Sequence, residues 1–577
     1  MKHKSKMVRN SLLALGSVAL LSAGLTLAVA PANTLVIQRA GEMVTMDPQQ
    51  VFDSNATSVV NNVYDTLVTF ERNTTKLVPM LATDWKISSD GKTITMGLRK
   101  GVKFHSGNDF TCADAEYSLH RLLVTGNASS AAFYLAQAML GFQYWDEKTI
   151  KSTPFSTIRN AASCTANGDL VIKLMRREPI FILRLTGTWG SILDAKAAIA
   201  AGEWDGTEAT WKEFQNKDTS NSSLNKIDVG SGAYQMVARE ADQAVFKANP
   251  NYWGEKGKLQ NVIVNIVNND AGSVLAMKSG DADIITYGNT TSLVQLKGAP
   301  GVTIYPTSSV SANGFFFNQA INKGGKFSGS GKLDGKGIPA DFFADANVRR
   351  AFAAATDQKR IVTEIYSGLA ELRTMPVPSI VPGYDANLKT IPFNLEASKG
   401  EFQKAFKGQV WKNGFAFVAL IPAGNAGVQS IMDLLKQNLE RINPKFKMTV
   451  KALPLSELYP ALGMGVTPFT LNGNSAEVPD ALALLSFFYS SQGVFAAHTH
   501  FKDARIDKLL SDLSTTEDLS KRAALVTQIG RRGNELLPII VLPESVTVMV
   551  ARSSLKGVKE NFNAFRYTAL FWNSLSK

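Results

Sequence analysis

Apolar and polar positions alternate most regularly between residues 77 and 121, in LVPMLATDWKISSDGKTITMGLRKGVKFHSGNDFTCADAEYSLHR. Trp85 and Ile87 alternate with polar residues, Asp90-Gly91 supplies a tight turn, and Ile94, Met96 and Leu98 share one face of a returning strand. A period of two broken by such a turn predicts a β-hairpin. The period then changes. Ala115, Leu119 and Leu122 recur at helical spacing behind Ser106-Gly107-Asn108, and Thr111 or Asp114 stands where a helix would be capped. No residue of this stretch is catalytic in kind.

Similar patterning continues on both sides. Residues 34–38 predict a strand and Asp47-Pro48 a turn, with Asp47 read as a turn former. Val59, Val60, Val63, Tyr64 and Leu67 predict a helix, and 68–71 a short strand. Residues 131–139 are expected to be helical and 169–175 extended, whereas 203–225 is polar and loop-rich, with Trp204 and Trp211 sealing a core edge. Gly230-Ser231-Gly232 permits a close-packed turn before a strand. Residues 302–318 predict a strand pair ending in Phe315-Phe316-Phe317-Asn318, and the Gly, Ser and Lys-rich run 322–336 a surface insertion. Residues 345–368 predict two helices, the second capped by Asp357 and ended by Gly368. The proline-rich run 375–384 predicts an irregular loop, 428–442 and 505–513 amphipathic helices, and 447–453 and 538–542 strands.

A chain of 577 residues exceeds what one hydrophobic core supports, and 45% hydrophobic with 19% charged residues is ordinary globular composition, so several lobes are expected. Lys2, Lys4, Lys6 and Arg9 precede an apolar run from 12 to 30, and Ala30-Pro31-Ala32 offers a small-x-small cleavage site. Residues 1–32 therefore read as a secretory signal, cleaved to leave a chain beginning near Asn33, with an uncleaved anchor as the alternative. Gly24 stands where a lipoprotein would need cysteine, so no lipid attachment is expected. Cys112 and Cys164 are the only thiols, and whether they pair in an exported chain stays open at this level.

Removing the signal lowers the net charge from +12 to +8, but Lys and Arg are scattered and no zinc-finger or similar signature accompanies them, so no nucleic acid partner is expected. Gly331-Lys332 is not a phosphate-binding loop, because Lys326 stands where its first glycine should be and Leu333 where a Ser or Thr should follow. Gly230-Ser231-Gly232 lacks the third glycine of a dinucleotide fingerprint. There is no Gly-x-Ser-x-Gly elbow, no His-Glu-x-x-His helix, and only five histidines, so no enzyme is expected. His498-Thr499-His500 would turn two imidazoles the same way on a strand and so clasp a metal, but nothing completes a ligand set, and a surface pair with neither metal nor cofactor is the expectation.

Leu-x-Pro-x-Leu-Ala from Leu77, Trp-x-x-Ser-x-Asp-Gly from Trp85, Leu-Arg-x-Gly-Val-x-Phe-His-x-Gly from Leu98 and Phe-Thr-x-x-Asp from Phe110 stand in this order. Together they resemble the signature of the peptide, dipeptide and nickel class of solute-binding proteins of ABC importers. Gly-x-Gly-x-Tyr at 230–234, Asn249-Pro250-Asn251-Tyr252-Trp253, LAMKSGDADII at 275–285, and Val-Arg-x-Ala from Val348 extend the likeness over most of the chain. It is weak at 125–225 and 319–340.

The resemblance implies an α/β, two-lobed periplasmic-binding-protein (type 2) fold with an extra subdomain and a hinge. Lobe I would comprise 33–75, 226–310 and 541–577, the subdomain 76–225, and lobe II 311–540. It further implies a monomeric periplasmic protein that captures oligopeptides or dipeptides and delivers them to an ABC permease of the inner membrane. A glycan, an opine-like amine or a nickel chelate would be other solutes for the same scaffold, and a sensor or chaperone partner another role. Relatives carry Gly-Trp-x-x-Asp-x-x-Asp-Pro where this chain reads GNSAEVPDA from Gly473, with Asn474 for the tryptophan, Glu477 for the aspartate that receives the ligand's α-amino group, and Asp480 matching. The ligand-binding candidates are accordingly Glu477, Asn474 and Asp480, joined by Arg373 and Tyr384 at the proline-rich loop.

Overall fold

The computed structural model describes residues 31–39, 42–51, 54–127, 130, 132–141, 151–215, 222–267, 270–286, 293, 295–323, 326–493, 496–566 and 570–577. Positions 1–30 of the expected signal segment lie outside them.

Two sheets organise the chain. The first has seven strands in the order Val302–Thr307, Thr547–Arg552, Ile284–Thr286, Thr34–Arg39, Asn261–Ile266, Gln243–Ala248 and Tyr234–Arg239. Its centre is parallel, with Thr34–Arg39 between Asn261–Ile266 and Ile284–Thr286, and its flanks are antiparallel. The second has five strands in the order Phe446–Leu453, Phe415–Pro422, Phe469–Ser475, Ser311–Phe317 and Ile539–Val541. Helices Ala346–Ala355 and Ala426–Ile442 bury apolar stripes against it, and Phe317, Phe343, Phe352, Phe415 and Phe469 fill its core in edge-on, tilted and stacked pairs. Each fully buried ring of this kind is worth about 1.5–3 kcal/mol relative to exposure.

The predicted strand pair at 302–318 is corrected by the structure. Both strands form, but Val302–Thr307 pairs with Thr547–Arg552 in the first sheet and Ser311–Phe317 with Phe469–Ser475 in the second. The chain thus crosses between lobes at 308–310 and returns between Ile539–Val541 and Thr547–Arg552. On the return, Glu544–Ser545 forms a two-residue ladder with Ala370–Glu371, which stiffens the crossing.

The alternation at 82–98 folds as expected: Ala82–Ile87 and Thr93–Leu98 pair antiparallel around Asp90-Gly91, with Gly91 at φ +71 and the Asp90 carboxylate accepting from Lys92 N. Leu170–Lys173 and Ala162–Cys164 extend this hairpin to four strands. Helix Cys112–Thr125 begins where the Asp114 carboxylate accepts from the Thr111 N–H at 2.8 Å and its hydroxyl at 2.7 Å. Cys112 and Cys164 are disulfide-bonded, tying that helix to the edge strand. The subdomain shares one continuous apolar core with the first sheet, in which Trp204 and Trp211 are buried among Tyr117 and Phe155.

Asp47 does more than form a turn. Its buried carboxylate takes Arg121 through both terminal nitrogens, at 2.6 and 3.2 Å, and Arg121 also meets Glu203 at 2.6 Å, fastening the subdomain helix to the first lobe. His498-Thr499-His500 is not a strand. Ala496–Thr499 is a helical turn, His498 is buried, and His500 leaves it at φ +50 with Nδ1 3.0 Å from Asn318 Oδ1. Apolar surroundings and the neighbouring His500 push the His498 imidazole down to about 3, so a surface pair is corrected to a buried, neutral histidine.

Candidate ligand-binding cleft

Glu477 follows the second-sheet strand Phe469–Ser475 and is half-buried. Its carboxylate accepts a hydrogen bond from Tyr134 on the subdomain helix Phe133–Leu140, so it bridges the two sides of the molecule. Burial pushes this carboxyl up, against the opposing pull of Tyr134 and the more distant Arg184. Tyr134 in turn packs on Phe133 and Trp189, with ring centroids 4.0 and 4.8 Å apart. A second contact across the cleft is Arg177 on Glu517, at 3.1 and 2.7 Å.

A cavity of about 900 Å³ opens where the second sheet meets the crossover. It lies at the carboxyl end of Phe415–Pro422, beside the first turn of Ala426–Ile442, whose cap Asn425 accepts from Val428 N. Ligands of open α/β sheets bind at such strand ends. Its lining is polar. Asn313, Glu364, Tyr366, Asn472 and Glu544 contribute side chains, and Gly473 a bare backbone.

The residues around Glu544 are held tightly. Asn313 Nδ2 donates to Glu544 Oε2 at 2.5 Å. Burial pushes the Glu544 carboxyl up to about 7, although the Asn313 amide and the positive Arg373 oppose it. Burial, with Glu544 adding to it, also holds the Tyr366 phenol above its ordinary range. Gly473 is required for this arrangement, since a Cβ there would meet Asn313 Oδ1 at 1.9 Å and the Ala312 carbonyl at 2.5 Å.

The five residues picked out from sequence fall in different surroundings. Glu477 faces the subdomain. Asn474, opposite Ala312 in the strand register, bonds locally, its side chain accepting from Ser475 N at 2.9 Å. Asp480 is engaged elsewhere: its Oδ2 receives Arg522 at 2.6 and 3.0 Å and its Oδ1 receives Leu482 N, so it fixes the start of helix Leu482–Tyr489. Tyr384 accepts from Thr374 N at 3.3 Å and packs on the second-lobe core. Arg373 is fully buried behind Glu544, 3.2 Å from both Glu371 and the Ser309 carbonyl. Sequence reasoning did not find Tyr134, Asn313, Asn472 or Glu544. For Asn472 the adjoining Gly473 was a signal, whereas a lone Glu544 after an apolar strand offers none.

A model of the bacterial extracellular solute-binding proteins, family 5 (middle region), matches residues 76–496. Heme-binding protein A of Haemophilus influenzae is 23% identical over 93% of this chain and 92% of its own length. Di/tripeptide-binding protein 1 of Pseudomonas aeruginosa is 24% identical over 93% and 94%. Among solved structures, HbpA2 from Haemophilus parasuis superposes with a TM-score of 0.75 at 19% identity, covering 94% of this chain and 99% of that one. The periplasmic binding protein DppA from Helicobacter pylori, solved with the peptide STSA, gives 0.65 at 21% identity, covering 94% and 98%. These likenesses establish a two-lobed periplasmic-binding-protein fold of mixed α/β sheets.

Proposed function

Because the chain belongs to the bacterial extracellular solute-binding proteins, family 5, we propose that it is the substrate-binding component of an ABC importer, capturing short peptides in the periplasm and presenting them to a membrane permease. The observation that carries this reading is the position of Glu477, a carboxylate at the interlobe face whose partner Tyr134 comes from the opposite side of the cleft. A peptide's free ammonium placed there forms charge-assisted hydrogen bonds, worth about 1.5–3 kcal/mol. Gly473, at the cavity, lies four residues before Glu477. The strand ends at Ser475, two residues before Glu477, so a short stretch of chain joins the two places. The ligands of relatives, di- and tripeptides among them, support the same class.

The work of the protein is conformational. Ligand contacts both lobes, favours the closed arrangement by its differential affinity for it, and so creates the surface a permease reads. The crossover at 308–310 and 542–546 is where such closure bends the chain. A monomer suffices, and no bond in the ligand is made or broken.

Native mass spectrometry of the mature protein as purified tests the reading, followed by titration with tetra-alanine. Co-purifying short peptides, and a Glu477→Ala variant binding tetra-alanine at least about tenfold more weakly, are expected. A sugar, chelate or amine in place of peptide, or equal affinity for N-acetylated tetra-alanine, overturns it.

A further inference from the structure

The cavity at the crossover has a charge imbalance that the protein itself does not correct. One cation acts on Glu544, and it already holds another carboxylate, Arg373 meeting Glu371 at 3.2 Å; Glu364, which lines the cavity, is taken by Arg360 through two bonds of 2.7 and 2.8 Å. Glu371 lies directly opposite Glu544 in the strand ladder, so it adds negative rather than positive field. No lysine, arginine or histidine is among the described residues lining the cavity. Glu544, only 5% exposed, accepts a single hydrogen bond among the described residues, from the neutral Asn313, through Oε2.

An unused donor stands at the same cavity. Asn472 is 8% exposed and lines it. Its Oδ1 is taken by Gly473 N at 2.8 Å, while its Nδ2 has no partner among the described residues. A buried amide N–H left unmade costs about 1–3 kcal/mol, and a buried carboxylate with no cation bonded to it costs more, so a group entering the cavity recovers both. About 900 Å³ is ample for a long side chain.

We infer that this cavity is the specificity pocket for a cationic N–H-bearing group of the ligand, an ammonium or guanidinium, whose protons go to the free oxygen of Glu544 while Asn472 Nδ2 donates to an acceptor atom beside it. A ligand carboxylate is rejected there, because it would add a negative charge to a site that already gathers Glu544, Glu371 and Glu364 and has no cation among its described lining residues. The inference rests on reading the chain as a solute receptor and names what that receptor selects. The raised Glu544 carboxyl agrees with it, since burial with no cation bonded to it outweighs the pull of Arg373. Entry of a cation then expels that proton near neutral pH, with Arg373, Glu371, Glu364 and Tyr366 as the other ionisable groups around it.

The test is calorimetric titration of the full mature protein with tetra-alanine carrying arginine, or glutamate, at each of its four positions, and with agmatine alone. At one position arginine is expected to bind about tenfold or more tighter than alanine, and glutamate weaker. Glu544→Gln, which keeps an oxygen for Asn313, is expected to erase the preference and the buffer-dependent proton release at pH 7. Should that variant not fold, Asn472→Ala is expected to narrow the arginine-over-alanine affinity ratio severalfold. Peptides bound with no preference for arginine overturn the inference and leave the peptide reading standing. Agmatine bound without any peptide does the reverse, and a protein that takes neither overturns both.

Discussion

Asn313 hands its side-chain amide to Glu544 across the joint between lobes, 2.5 Å from Nδ2 to Oε2. One residue belongs to a strand of the second sheet and the other to the segment that leaves it, so the contact holds a cavity wall and a hinge strand in one geometry. What allows it is the absence of a side chain at Gly473, over which the Asn313 amide lies.

Gly473→Ala is therefore expected to do two kinds of damage. The added methyl collides with Asn313 Oδ1 and with the Ala312 carbonyl, and the latter, being backbone, cannot step aside. A stability loss of about 1–3 kcal/mol is expected by denaturant titration, together with loss of peptide binding by calorimetry. Retention of both would show that Asn313 does not depend on this glycine.

His105 sets a pH dependence. Its Nδ1 lies 2.8 Å from Asp228 Oδ1 and its Nε2 2.9 Å from the Gly232 carbonyl, two acceptors that only a doubly protonated ring satisfies. Burial pulls the imidazole down, but Asp228, the carbonyl and Asp65 outweigh it, and its proton is held above the ordinary value. The folded chain then binds more protons than the unfolded one. The stabilisation is complete below about pH 6.5 and is lost as pH rises through the folded value. Melting curves should show His105→Gln lowering stability markedly at pH 6 and little at pH 9; an equal loss at both would mean the ring is neutral.

Asp480 is expected to matter for folding and not for ligand. Asp480→Ala leaves Arg522 buried with only the Leu513 and Thr516 carbonyls, and removing one member of a buried pair costs about 3–5 kcal/mol. Urea unfolding at neutral pH should register that loss, with ligand affinity of the folded fraction unchanged. A tenfold loss of affinity would return Asp480 to the pocket.

The Cys112–Cys164 bridge spans a sequence separation of 52. Loop-closure entropy assigns it about 4 kcal/mol, acting on the unfolded chain. The double alanine variant is expected to melt lower, with the first protection lost in hydrogen exchange at helix Cys112–Thr125 and strand Ala162–Cys164. Unchanged melting would mean the apolar core of the subdomain suffices without it.

Local structure was legible wherever the signal is itself local. The hairpin at Asp90-Gly91, the helix opened by Thr111 and Asp114, and the helix started by Asp357, whose carboxylate accepts from Arg360 N, are each written in a few neighbouring residues. Alternation at 302–318 announced strands but not their partners, because a period of two carries no information about which sheet a strand joins. His498 was misjudged for a related reason: its burial comes from distant parts of the chain, which dipeptide spacing does not encode. Glu477 was picked out through motif likeness, whereas Asn313, Asn472 and Glu544 meet only after residues 231 positions apart are brought together.

The crossover also dictates an order of assembly. Every strand of the second sheet comes from one uninterrupted stretch, 311–541, so its pairing is complete as soon as that stretch is available. The first sheet begins earlier in the chain yet must wait, because Val302–Thr307 joins it only through Thr547–Arg552, nearly the last strand to emerge. Until then an unpaired edge stands open, a stage at which sticking to other chains competes with folding. The lobe that starts first is finished last, and truncations near the carboxyl terminus should therefore injure the oldest part of the nascent molecule most.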